Sequence, residues 1–193
     1  MTSTSKLKRF QIDAATGLTA GVRQVISPHF DERPSGVQPD LIIVHGISLP
    51  PGEYGGPWID RMMTGCLPAD AHPFFRDLAG RRLSAHALVR RTGAIAQYVP
   101  FGKRAWHAGV SEYQGRGSCN DFSIGIELEG TDEDAYTAEQ YAVLAGLIGA
   151  LLATYPALTR ERIVGHSDVA PGRKTDPGAS FDWERLRAVL ADQ

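Results

Sequence analysis

Apolar residues along this chain fall into several short runs and one long stripe at helical spacing. Leu41-Ile42-Ile43-Val44, entered through Pro39-Asp40, is continuously apolar and predicts a short strand buried on both faces. Phe122 to Leu128 alternates instead. Ile124, Ile126 and Leu128 share one face, and Gly125, Glu127 and Glu129 the other. Leu83 to Arg90, the turn Arg91-Thr92-Gly93, and Ile95 to Val99 predict a β-hairpin. Ile163-Val164 predicts one more short strand.

The helical stripe runs from Thr137 to Thr154, where Tyr141, Leu144, Ile148, Leu151 and Tyr155 line one face. Thr137 with Gln140 has the form of a capping box, Tyr136 with Tyr141 that of a staple, and Pro156 ends the segment. Phe181 to Leu190 predicts a C-terminal amphipathic helix, and Trp58 to Met63 and Ala71 to Ala79 two short ones. Gly102 to Asn120 is a long glycine-containing connection, of the kind that often carries function. Strands interspersed with helices predict an α/β fold: a single domain with a central mixed β-sheet flanked by helices. Residues 1–24 are expected to form an N-terminal arm and 25–193 the domain.

Composition narrows this picture without changing it. The 193 residues suffice for one core, with 42% hydrophobic and 22% charged residues, as in ordinary soluble domains. A net charge of −2 gives no support to nucleic-acid binding, so neither that partner nor a membrane is expected, and the chain is read as a monomer. The polar start Met1 to Phe10 is followed by no apolar run, since Thr16, Gly17, Thr19 and Gly21 interrupt Ala14 to Val22. A cytoplasmic location is therefore expected. Cys66 and Cys119 are too few for a disulfide framework, stand in no CxxC spacing, and read as free thiols.

Candidate chemistry gathers at strand ends. His45 follows Leu41 to Val44, and His166 follows Ile163-Val164-Gly165. Ligands in open α/β sheets collect outside the carboxyl ends of strands. Asp176 follows in the turn-rich stretch Pro171 to Gly178, which could return a carboxylate to the same end. Two imidazoles and a carboxylate suit a zinc ion with one position left open, although a histidine at a strand end also serves as a hydrogen-bonded structural residue. Glu127 and Glu129 share a strand face, and either could act as general base on a water beside such a metal; a solvated or salt-bridged carboxylate is the alternative for both. Lys174 could reach a developing oxyanion, or be an exposed loop lysine. Trp106 could close over a sugar or an apolar patch of substrate, and Arg82, Arg116 and Arg173 could hold its carboxylates. His86 reads as a core histidine or one standing behind the site.

From about Val25 to Leu190 the chain resembles the AmpD-type N-acetyl-anhydromuramyl-L-alanine amidases. These form a branch of a zinc amidase family that includes peptidoglycan recognition proteins and phage lysozyme-type amidases. The resemblance is carried by Leu41-Ile42-Ile43-Val44-His45, Ile47 to Gly52, Gly55-Gly56-Pro57-Trp58, Arg82 to His86, and Tyr98-Val99-Pro100-Phe101. It continues in Arg104 to Val110, Asn120 to Thr131, Gly165-His166 and Arg173 to Gly178. It implies the peptidoglycan-recognition-like fold, zinc bound by His45, His166 and Asp176, Glu127 as general base, and Lys174 as oxyanion stabiliser. It also implies hydrolysis of the amide between a lactyl group and L-alanine in soluble 1,6-anhydro-muramyl peptides during cell-wall recycling. A non-catalytic muramyl-peptide binding module and a lytic amidase acting on polymeric wall are the competing readings. Two departures from the branch stand out: Gly46 stands where it carries Asn, and Gly117-Ser118 where it carries Glu-Arg.

Overall fold

A computed structural model describes residues 8–191 of the chain. Its strands are β1 (Arg23–Gln24), β2 (Phe30–Asp31), β3 (Leu41–Ile47), β4 (Ala87–Val89), β5 (Ile95–Gln97), β6 (Arg104–Ala105), β7 (Glu112–Tyr113), β8 (Arg116–Gly117), β9 (Ser123–Glu129) and β10 (Ile163–Gly165). The α-helices are α1 (Trp58–Met63), α2 (Ala138–Thr154), α3 (His166–Val169) and α4 (Trp183–Ala191).

Six strands form one sheet in the order β1-β5-β4-β9-β3-β10. Only β4 and β5, joined by the expected tight turn, run antiparallel; the other neighbours are parallel, so the sheet is mixed. The central pair is covered on both sides. Ile42, Val44, Ile124, Ile126 and Leu128 pack with Leu144, Leu147, Ile148 and Leu151 of α2 and with Leu186 and Leu190 of α4. On the opposite face Leu41 and Ile43 meet Ala108, Cys119, Phe122 and Val169, while Leu88, Ala96 and Tyr98 meet Ile59, Met62 and Met63 of α1.

Most predicted elements form, with informative shifts. The run Leu41 to Val44 extends to Ile47, so His45 lies inside a strand rather than after one. Trp58 to Met63 is helical as expected, but Ala71 to Ala79 is not an α-helix. A 3-10 turn at Pro73–Phe75, capped by the His72 ring on the Phe74 amide, gives way to hydrogen-bonded turns through Gly80. The predicted hairpin pairs over only three residues on each side, because Tyr98 and Val99 both donate to the His86 carbonyl and the Ser84 amide turns away to the Trp106 carbonyl. The long connection 102–120 holds short ribbon strands: β6 pairs with β2, and β7 with β8. Both cysteines are free thiols.

Helix α2 is buried nearly all round over residues 140–148, a wider contact than a single stripe predicts. The reason is a second covering on its outer side. Gly146 has no side chain, and the Lys8 carbonyl lies directly where its Cβ would stand. Residues 8–24, from the stretch expected as an N-terminal arm, continue from there. Ile12 is buried in the α2 core, and Gln97 is bonded to the Thr19 amide and the Gly17 carbonyl. Residues 1–7 of that arm lie outside the described residues.

The capping box is present. Thr137 Oγ accepts from the Gln140 amide at 3.1 Å and Gln140 Oε1 from the Thr137 amide at 3.0 Å. The same groups tie the helix start to the sheet, since Thr137 Oγ donates to the Arg91 carbonyl and Gln140 Nε2 to the Glu129 carbonyl. Thr137→Ala is expected to lower stability by about 1–2 kcal/mol, the upper range for a helix N-cap. The check is urea denaturation, in which the midpoint should fall at an unchanged m-value.

Candidate metal centre and its cleft

Parallel pairing of β3 and β9 sets His45 opposite Glu127 and Ile43 opposite Gly125. Paired residues project to one face, so His45 and Glu127 are neighbours on the side turned away from α2. Across β3, Gly165 of β10 pairs with Val44. His166, the next residue, opens α3 and brings its ring beside His45, with ring centres 4.4 Å apart. Asp176 is carried back to the same place by its loop. The Ser167 amide donates to the Asp176 carbonyl at 3.0 Å, and Tyr136 Oη donates to the Pro177 carbonyl at 2.9 Å. Gly178, at φ +85°, then turns tightly against Asp132, where any Cβ would overlap the Asp132 backbone.

The two Nδ1 atoms stand 3.0 Å apart, and each is 3.1 Å from Asp176 Oδ2. One ligand atom from each of the three residues lies within 4.8 Å of the others. His166 Nε2 is 3.2 Å from the Ala108 carbonyl, which can only accept. The ring proton therefore sits on Nε2, and Nδ1 turns a lone pair to the other two groups. Two nitrogens and a carboxylate oxygen converging on one buried point are the donor set of a three-ligand metal site. Burial would raise the Asp176 pKa, but the His166 and His45 rings beside it hold it well below the usual carboxylate range. Burial lowers His45 to about 4, so it is neutral and able to ligate at pH 7.

The two carboxylates that the sequence left undivided differ sharply. Glu129 is consumed by structure: it accepts from the Gly55 amide at 2.7 Å, Arg90 at 2.9 Å and the Arg91 amide at 3.2 Å. Glu127 Oε2 is buried with no hydrogen-bond partner. Burial, reinforced by Asp176 and opposed by Lys174, pushes the Glu127 carboxyl up to about 8. A cavity of about 260 Å³ opens from this carboxylate and the trio past Lys174, and its far wall is Leu49, Met62, Met63, Phe74, Leu83 and Trp106.

The residues expected to hold substrate are scattered. Trp106 lines the cavity, with Nε1 donating to Asp31 at 3.2 Å. Arg82 stacks on the Trp106 ring, 5.0 Å from its centre, while its neighbour Arg81 lines the cavity. Arg116 lies away from the cavity walls, paired with Asp40 at 2.7 Å and over the Phe122 ring. Arg173 donates to the Ala108 and Val110 carbonyls at 2.6 Å each. His86 is buried behind the site, bonded to the Lys103 carbonyl and the Gly125 amide. Gly46 leaves room that the Tyr136 hydroxyl fills.

One residue passed unremarked in the sequence beyond its place next to Trp106: the half-buried His107, whose Nδ1 is 2.9 Å from His45 Nε2. A signal for it existed. Glycine inside an alternating strand marks close approach by another group, and the His107 ring occupies the space a Cβ at Gly125 would need.

Comparison with known proteins agrees with this geometry. The family profile described as N-acetylmuramoyl-L-alanine amidase matches residues 35–179. The 1,6-anhydro-N-acetylmuramyl-L-alanine amidase AmpD of Salmonella typhimurium (strain SL1344) is 60% identical over 175 residues, covering 91% of this chain and 93% of the relative. The crystal structure of a selenomethionine AmpD derivative superposes with a TM-score of 0.90 at 59% identity, over 93% of this chain and 98% of that one. AmpDh3 from Pseudomonas aeruginosa, solved in complex with anhydromuramic pentapeptide, superposes with a TM-score of 0.60 at 29% identity, over 81% of this chain and 61% of that one.

The raised Glu127 carboxyl has a consequence for the metal-free protein. Its folded pKa of about 8 lies above the ordinary 4.5, so between these values the folded state keeps a proton that the unfolded state releases. Stability that is fully present below the lower value is lost as pH rises through the upper one. Glu127→Gln removes this dependence. Its stability relative to wild type should climb from pH 5 to pH 8, by at most about 1.4 kcal/mol per pH unit, and level off above. Urea titrations of both metal-free proteins measure the gap, and a gap constant with pH would contradict the assignment.

Proposed function

The chain belongs to the N-acetylmuramoyl-L-alanine amidase family, as a hydrolase of the AmpD kind, and from that premise we propose how its own residues cleave the lactyl–L-alanine amide of 1,6-anhydro-muramyl peptides. The observation that carries the reading is the meeting, at one end of a narrow cavity, of a three-ligand donor set and a buried carboxylate with an unpartnered oxygen. His45, His166 and Asp176 would hold zinc, which when bound supplies Lewis acidity and brings the pKa of water toward neutrality.

Glu127 then acts as the proton carrier. Its carboxylate takes a proton from the attacking water, and the apolar surroundings that disfavour its charge keep that proton available for the departing L-alanine nitrogen. Lys174, on the rim of the same cavity, offers its ammonium to the oxyanion that forms on the lactyl carbonyl. Trp106 and the rest of the apolar far wall exclude water from one side of the substrate, and no covalent intermediate is required. Action on soluble fragments by a cytoplasmic monomer belongs to the same proposal and is supported by the resemblance to recycling enzymes. Among the described residues, no helix is long and apolar enough to cross a membrane.

Mass spectrometry of a soluble anhydro-muramyl tripeptide incubated with the zinc-loaded protein should show free peptide, and a chelator should abolish it. Glu127→Ala should lose at least about 100-fold in kcat while retaining stoichiometric zinc. Near-normal hydrolysis by that variant would remove Glu127 from the mechanism. For Lys174→Ala the expected loss in kcat is about 10²–10³-fold, with zinc content again unchanged.

A further inference from the structure

Lys174 lines the cavity from an exposed turn, residues 171–175, and few bonds hold that turn in place. Its backbone bonds are local: the Arg173 and Lys174 amides donate to the Ala170 carbonyl, and the Gly178 amide to the Thr175 carbonyl. Among the described residues, the hydrogen bonds that reach from this turn to a distant part of the chain both come from the Arg173 side chain. We propose that Arg173 is a positioning residue, whose guanidinium straps the turn to the loop at residues 108–110 and so holds the Lys174 ammonium at the cavity. The inference rests on the part assigned to Lys174 above, but the strap itself can be tested without turnover.

The loop offers a receptor for a single nitrogen. Gly109 has φ +60°, in the left-handed region that favours glycine, and the carbonyls on either side of it, those of Ala108 and Val110, converge. Arg173 Nη2 lies where they meet and donates to both at 2.6 Å. The guanidinium packs over the bare Gly109 Cα, where a Cβ would stand 3.5 Å from Nη1 and Nη2. Bonds from a charged donor are shorter and about twice as strong as neutral ones, so two of them are a firm link for an otherwise exposed turn.

The far anchor is itself held. Ala108 is fully buried, and Asn120 Oδ1 accepts from the amides of His107 and Ala108 at 3.1 and 2.8 Å. Ser111 Oγ donates to the Gly109 carbonyl at 3.1 Å, so all three carbonyls of the loop are engaged. The strap joins two segments that line the cavity from separate parts of the chain, Trp106 and His107 on one, Lys174 and Asp176 on the other. Arg173 itself stands outside the cavity wall. Its effect on the reaction therefore passes through its neighbour, and a misplacement of about 1 Å can cost about 10²-fold in rate.

Two measurements test the strap. In metal-free protein, hydrogen exchange read by mass spectrometry should quicken in Arg173→Ala over both 106–111 and 170–176, while exchange in the central strands stays as in wild type. In zinc-loaded protein acting on the soluble anhydro-muramyl tripeptide, Arg173→Ala should lose about 10–100-fold in kcat with KM nearly unchanged, because the oxyanion contact is made only in the transition state. In a Lys174→Ala background the same substitution should cost no further kcat. Arg173→Lys should recover most of the loss, since both bonds come from one nitrogen and an ammonium can donate twice. A kcat loss undiminished in the Lys174→Ala background, as expected if Arg173 acted through the metal ligands or the fold at large, would overturn the proposal. So would an unchanged kcat, unchanged exchange in either segment, or an Arg173→Lys protein no better than Arg173→Ala. Quickened exchange in both segments, beside a wild-type protein that releases no peptide, would keep the strap and overturn the amidase reading instead.

Discussion

The parallel register between β3 and β9 is the constraint on which the rest depends. It sets His45 beside Glu127 and leaves Gly125 one pleat away. A shift of β9 by one residue would turn Glu127 into the core packed against α2, away from His45, and expose Ile126 to the cleft. That register is enforced from the other face. Ile42, Val44, Ile124, Ile126 and Leu128 are fully buried under α2, and a slip would put polar side chains in their place, His45 if β3 moved, or Ser123, Glu127 and Glu129 if β9 moved. The chemistry of the site is thus held in place by hydrophobic burial on the side of the sheet that never meets substrate.

Environment, rather than residue type, then separates three carboxylates that lie close together. Asp176 stands against two imidazoles and stays ionised; Glu129 is saturated by an arginine and two amides; Glu127 has burial and a neighbouring negative charge against it. Asp176 and Glu127 are therefore driven toward different protonation states by their surroundings. Such a division is what a site needs to bind a cation with one carboxylate and move a proton with another.

Much of this was legible in the sequence. The strand around Leu41, the alternating strand at Ile124, the capped helix after Thr137 and the mixed sheet all followed from local period and end signals. The trio could be nominated because strand ends gather ligands. Local signals failed where tertiary contacts took over. Ala71 to Ala79 has helical composition, but its backbone is bent by Pro73 and the His72 cap. Glu127 and Glu129 share a face and a residue type, so only the partners that reach Glu129 from residues 55, 90 and 91 tell them apart. His107 comes from a loop with no periodicity, and its meaning is visible only once β9 lies beneath it. Arg116, attractive as a charge in a glycine-rich loop, is spent on Asp40.

Gly46 and Tyr136 share one small volume: the phenol oxygen sits where a side chain at 46 would begin, and from there it grips the Pro177 carbonyl next to Asp176. Two positions far apart in the chain are in that way in contact at the edge of the ligand loop. A side chain placed at 46 has to push the phenol oxygen aside, and with it loosen the tether on the loop that carries Asp176.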